Sequence, residues 1–120
     1  MRFPLIAFVV LSACASPRAG EDCNQAGFLC ESQASALECK LGTWESLPCK
    51  GPNGCLRDDD TIKCDMTGNV EGDNCASSAA GKGLCTADNK GTLECRDGKL
   101  VKTNECRSCR IDGETVVCEP

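Results

Sequence analysis

Leu93-Glu94-Cys95-Arg96-Asp97-Gly98-Lys99-Leu100-Val101 is the stretch that decides the fold. Asp-Gly between apolar or β-branched runs is the strongest short signal for a β-hairpin, because both central residues of the tight turn need positive φ. An earlier version of the stretch reads Leu37-Glu38-Cys39-Lys40-Leu41-Gly42-Thr43-Trp44. In both, Leu-Glu-Cys leads and Gly42 or Gly98 stands three residues after the shared cysteine. Working outward, Gly20-Glu21-Asp22-Cys23 matches Gly72-Asp73-Asn74-Cys75, and the interval Cys55 to Cys64 equals that from Cys109 to Cys118. Self-similarity of this kind marks a repeated structural unit.

The remaining turns agree. Asp112-Gly113 separates Arg110-Ile111 from Thr115-Val116-Val117-Cys118, and Asp58-Asp59-Asp60 precedes Thr61-Ile62-Lys63-Cys64. Phe28-Leu29-Cys30 and Ala36-Leu37-Glu38-Cys39 flank a polar turn. Each unit is predicted to be a meander of four or five short strands, and no helical stripe stands out beyond the N-terminal leader. The chain divides into residues 1–13, a leader; 14–22, a small polar tether; 23–64, the first module; 65–74, a linker holding Gly68 and Asn69; and 75–118, the second module.

The 13 cysteines follow the same division. Cys23, Cys30, Cys39, Cys49, Cys55 and Cys64 form one set of six; Cys75, Cys85, Cys95, Cys106, Cys109 and Cys118 form the other. Modules this short cannot bury enough apolar surface to fold on burial alone. After the leader the only aromatics are Phe28 and Trp44. Cross-links must supply much of the stability, at about 3 kcal/mol for a loop of about 15 residues in the chain-entropy model. The expected fold class is therefore small, disulfide-rich and mainly β: two tandem meander modules after a cleaved signal peptide. Six cysteines allow 15 pairings. Local pairing is expected, because it closes shorter loops.

Cys14 is the odd residue out. Met1-Arg2 followed by the apolar run Phe3 to Leu11 reads as a secretory signal. It falls well short of the roughly 20 residues a membrane span needs. The leader ends Leu11-Ser12-Ala13-Cys14, which resembles the lipobox of bacterial lipoproteins: a branched apolar residue, two small ones, then cysteine. That resemblance implies cleavage before Cys14, lipidation of its thiol and a membrane partner held through the N-terminal lipid. Stable anchoring takes two acyl chains or more. Ala15, which is not Asp, favours the outer membrane by the sorting rule of enteric lipoproteins. The alternative is ordinary cleavage after Ala15, with Ala13 and Ala15 forming an A-x-A site, which discards Cys14 and releases a soluble protein.

The first module carries Cys30, Leu37-Glu38-Cys39, Gly42, Trp44, Cys49-Lys50-Gly51-Pro52-Asn53-Gly54-Cys55 and Cys64-Asp65. Together with the lipobox, this pattern resembles small cysteine-rich lipoproteins of myxobacteria and related deltaproteobacteria. The second module departs from it: Leu100 replaces Trp44, and the Gly-rich loop shrinks to Arg107-Ser108. The resemblance implies a place on the cell envelope more than an activity.

Few residues invite chemistry. There is no histidine, so a Ser or Cys nucleophile lacks its usual base. Cys106-Arg107-Ser108-Cys109 has redox spacing. Its counterpart Cys49 to Cys55 is longer, which makes it a shortened framework loop. Asp58-Asp59-Asp60 lacks the loop spacing of a calcium hand and reads as a solvated turn. No enzyme activity, cofactor or metal is expected. The net charge of −5 disfavours nucleic acid. Arg96, Lys99, Lys102, Arg107 and Arg110 cluster in the second module and could face an acidic glycan or protein. The expected role is non-catalytic binding or structure on the cell envelope. The alternative is a secreted inhibitor or effector, with the loop Lys50 to Gly54 plugging a protease cleft.

Overall fold

A computed structural model describes residues 16–120; Cys14 and the leader lie outside the described residues. The first module holds strands β1 (Phe28–Ser32), β2 (Ser35–Lys40), β3 (Thr43–Pro48), β4 (Cys55–Asp58) and β5 (Thr61–Cys64). The second holds β6 (Gly83–Cys85), β7 (Gly91–Arg96), β8 (Lys99–Glu105), β9 (Ser108–Asp112) and β10 (Thr115–Glu119). The only other regular element among the described residues is a 3-10 turn, Ser77–Ala79.

Each module is a three-stranded antiparallel sheet, β1-β2-β3 or β6-β7-β8, followed by a separate hairpin, β4-β5 or β9-β10. The chain thus meanders, but not in one continuous sheet. The break comes at Cys49 and Cys106, where the backbone leaves the sheet and its N–H donates to Ala34 O at 2.8 Å and Lys90 O at 2.7 Å, respectively. The central hairpins both turn through two residues of positive φ, the second a glycine. Leu41 and Gly42 have φ of 50° and 80°; Asp97 and Gly98 have 50° and 77°. In the last hairpin the loop is Gly113-Glu114, one residue later than the Asp-Gly signal suggests, because Asp112 pairs with Thr115 as the final rung.

The two sets of cysteines bond alike. In the first, Cys23 joins Cys39, Cys30 joins Cys55 and Cys49 joins Cys64. In the second, Cys75 joins Cys95, Cys85 joins Cys109 and Cys106 joins Cys118. Every bond stays within one set and follows one order: first to third, second to fifth, fourth to sixth. The physical reason lies in the hairpin. Cys55 and Cys64 stand opposite each other in β4 and β5, as Cys109 and Cys118 do in β9 and β10. Directly opposed residues share a face. Both sulfurs of a hairpin therefore point at the sheet, and each takes a cysteine there: one from the first strand, one from the end of the third. The remaining bond ties the segment before the sheet to the middle strand.

The core sits between sheet and hairpin. Ala36, Leu47, Cys49 and Cys55 are buried there in the first module, with Cys30, Ile62 and Cys64 against them. Cys85, Cys106 and Cys109 do the same in the second, with Val116 and Cys118. The opposite face of the second sheet has its own core of Cys75, Leu93, Cys95 and Leu100, covered by Met66, Ala79 and Leu84.

The run 65–74 is not a loose spacer. Ala76, from the second module, packs into the first module's core, while Met66 packs on the second's. Asn69 is fully buried; its Oδ1 accepts the Lys50 N–H at 3.0 Å and its Nδ2 donates to Pro48 O at 2.8 Å. Lys50 Nζ pairs with Asp73 at 2.8 Å, and Asn74 Nδ2 donates to Ser46 O at 3.0 Å. The buried Glu38 accepts the Ser77 N–H on both oxygens at 3.1 Å and the Ser77 hydroxyl as well. Lys40 Nζ lies 3.3 Å from Glu38 and donates to Cys75 O at 3.2 Å. Strands β2 and β3 thus receive the first residues of the second module through a polar joint in which both partners are fixed.

Candidate binding surface

The two modules differ most on the face of the sheet turned away from the hairpin. In the second module, seven residues, 76–82, connect Cys75 to β6, and their 3-10 turn lays Ala79 over Leu93 and Leu100. In the first, only Asn24-Gln25-Ala26-Gly27 connect Cys23 to β1. This shorter connection has no 3-10 turn. Trp44 occupies the place of the fully buried Leu100 and stays half-buried. The result is a shallow open cleft of about 420 Å³ lined by the 23–27 segment, Phe28, Leu29 and Trp44. Strand register places Phe28 where the second module has Gly83: Phe28 pairs with Glu38 and Gly83 with Glu94. Both aromatics after the leader border this cleft, Trp44 from the face turned away from the hairpin and Phe28, in line with Cys30 and opposite Glu38, from the hairpin side, and neither has an aromatic counterpart.

Leu41 adds a second feature to the same hairpin. Its side chain is fully exposed and its φ is 50°. A non-glycine residue in this region costs about 1–2 kcal/mol. The counterpart is Asp97, a residue suited to the turn. Neither turn chemistry nor core packing accounts for a leucine here. An exposed apolar tip beside an aromatic cleft is what a binding face offers. The sequence signal was present in the repeat: at positions 28, 41 and 44 the first module swaps Gly, Asp and Leu for Phe, Leu and Trp.

The other residues of interest are engaged locally. The loop Lys50 to Gly54 is pinned: Gly51 N–H donates to Asp65 O at 2.9 Å, Gly54 N–H to Gly51 O at 3.0 Å, and Asn53 N–H to Asp65 Oδ2 at 3.0 Å. Burial pushes the Asp65 carboxyl up. The bonds from Asn53 N–H and from the Thr67 hydroxyl and N–H outweigh it and hold the group below its usual value. The segment is a compact turn held against Asp65.

Asp58 pairs with Lys63 at 3.2 Å, and Asp59 takes the positive φ of its turn. Among the described residues no three potential ligands gather as a metal site. Cys106 and Cys109 bond away from each other, so their thiols do not form a disulfide pair with each other.

Of the second module's cations, Arg96 pairs with Glu94 at 2.6 Å, Lys102 with Glu105 at 3.0 Å and Arg110 with Asp112 at 3.9 Å. Lys99 donates to the Asn74 side chain. Among the described residues Arg107 has no ion-pair partner.

Comparison with known protein families, curated proteins and solved structures found no match.

Proposed function

We propose that this chain is a lipid-anchored protein of the bacterial cell envelope with a non-catalytic binding or structural role at the cell surface. The observation that carries the reading is Cys14. The other twelve cysteines bond among themselves, so the scaffold needs nothing from it. It closes an apolar leader in a lipobox-like Leu11-Ser12-Ala13-Cys14. Acyl chains on Cys14 and its amino group would hold the protein on a membrane. Gly20 and Glu21 are hydrogen-bonded to Trp44, so the tether ahead of them, 15–19, reaches at most about 18 Å and keeps the modules near the surface. Ala15 favours the outer membrane.

The fold suits this role. A disulfide-rich β protein has a rigid exterior and needs an oxidising compartment. The Trp44 cleft and the Leu41 tip supply a face for a protein or glycan. With no histidine in the sequence, a Ser or Cys nucleophile lacks its usual base, which supports a non-catalytic role.

Intact mass and cell fractionation test the proposal together. Wild-type protein should fractionate with membranes, begin at Cys14 and carry the mass of its acyl chains; the Cys14→Ser variant should be soluble. Soluble wild-type protein beginning at Ser16 would overturn the lipid anchor in favour of a secreted binding protein.

A further inference from the structure

The joint between the modules has two sides. One is the edge of β2 and β3 in the first module: Glu38, Lys40 and Lys50. The other is the segment entering the second module: Asp73, Asn74, Cys75 and Ser77. The repeat supplies each side again, unpaired with the other among the described residues. Counting from shared cysteines, Glu94, Arg96 and Arg107 stand in the second module where Glu38, Lys40 and Lys50 stand in the first. Glu21, Asp22, Cys23 and Gln25 stand where Asp73, Asn74, Cys75 and Ser77 do.

We propose that this joint recurs between chains: the N-terminal edge of one copy docks on the second module of another copy, head to tail. Charge supports the match at three positions, while Asp22 at the Asn74 position has no N–H to give to a backbone carbonyl as Asn74 gives to Ser46 O. The Lys50–Asp73 pair becomes Arg107 with Glu21 of the next copy. Among the described residues neither Arg107 nor Glu21 has an ion-pair partner, and both are exposed. Lys40, which donates to Cys75 O, becomes Arg96 facing Cys23 O. Glu38, which accepts the Ser77 N–H, becomes Glu94 facing the Gln25 N–H. The local frame is the same on both sides. Glu94 pairs with Arg96 as Glu38 does with Lys40. The backbone bond Cys23 N–H to Gly42 O repeats as Cys75 N–H to Gly98 O, both at 2.9 Å.

The copy is incomplete where the joint is most buried. Pro17 stands at the Asn69 position and has no amide to donate. Asn24 stands in place of Ala76, which packs into the core. The contact between chains is therefore weaker than the one within a chain, and more dependent on charge. Docking of unlike surfaces does not close at two copies; it continues as a row or a ring. Such stacking is the habit of repeat proteins, whose units bury their faces on neighbours.

The test uses the oxidised chain carrying Cys14→Ser, so that association is read without the lipid and the result is independent of the anchor. Each variant is first shown by mass to hold all six disulfides. Sedimentation across a concentration series should show association beyond the dimer that falls as salt rises. Arg107→Glu and Glu21→Arg should each weaken it about tenfold, through like charges brought together. The double variant should recover it, because the pair is restored with its signs exchanged. In an Arg107→Lys chain, a zero-length carbodiimide link should join position 107 of one copy to Glu21 of another, identified by mixing labelled and unlabelled chains. A monomer at every concentration, a closed dimer, or single variants that associate like the parent would overturn the proposal.

Discussion

Glu38 and Glu94 hold the same place in the repeat but not the same surroundings, so one substitution at both positions measures the joint. Glu38 is 3% exposed and binds the Ser77 N–H, the Ser77 hydroxyl and Lys40. Hydrogen bonds to a charged acceptor contribute about 1.5–3 kcal/mol net, and a buried donor left unpaired costs about 1–3 kcal/mol. In Glu38→Ala the Ser77 N–H loses its charged acceptor, but Ser77 is exposed and water can replace part of the bond, for a total loss of about 2 kcal/mol. Glu94, with 29% of its side chain exposed, binds only Arg96, itself 59% exposed. An ion pair of this kind is worth about 0.5 kcal/mol. Urea unfolding with the disulfides intact, followed by the fluorescence of Trp44, reads both. Glu38→Ala should lower the midpoint by about 1–2 M, and Glu94→Ala by a few tenths. Glu38→Gln, which keeps an acceptor for Ser77, should fall between. Equal shifts for the two alanine variants would refute the assignment of the joint to Glu38.

Three further outcomes follow from local geometry. At Gly54, φ is +57° and an added Cβ would lie 1.9 Å from the Gln33 carbonyl oxygen, so Gly54→Ala should cost about 2 kcal/mol or more. Gly81→Ala, at φ +79° in open space, should cost about 1 kcal/mol, and equal losses in the same urea assay would count against the clash. Leu41→Asp should raise stability by about 0.5–1 kcal/mol, because Asp tolerates the left-handed conformation better; a loss would mean that Leu41 packs within the chain. Acid should loosen the joint through Asp73. Burial pushes its carboxyl up, but the bonds from Lys50 and Val70 outweigh it and hold it below 3.8. A depressed carboxylate stabilises fully above its unfolded value and loses that contribution as pH falls through the folded one. Asp73→Asn should therefore lose less stability than wild type between pH 5 and about pH 2.5, and an identical loss would exclude Asp73 from the acid response.

The doubled framework was legible because cysteine spacing and hairpin signals are local. Asp97-Gly98 marks one turn and Gly42 the other by their tolerance of positive φ, and each repeat reinforces the other. The Trp44 cleft was less so. Its cause is a connection three residues shorter than its counterpart, 24–27 against 76–82, and the effect appears only when a missing 3-10 turn uncovers the sheet. Glu38 shows the limit most clearly. Leu-Glu-Cys occurs twice, and nothing adjacent to either glutamate tells which one is buried. Ser77 decides it, thirty-nine residues away in the chain.

By itself, then, the sequence determined the class: disulfide-rich, two β modules, and one cysteine, at position 14, outside the two sets of six. Periodicity and turn chemistry are short-range, and they suffice for that. Only the tertiary structure decided which sulfur meets which, that the run 65–74 is packed, and that the two modules share a joint. A bond such as Cys30 to Cys55 depends on where a hairpin lies across a sheet. A carboxylate such as Glu38 is defined by the edge that arrives against it. Both are distances between strands far apart in the chain, and no local pattern of residues encodes them.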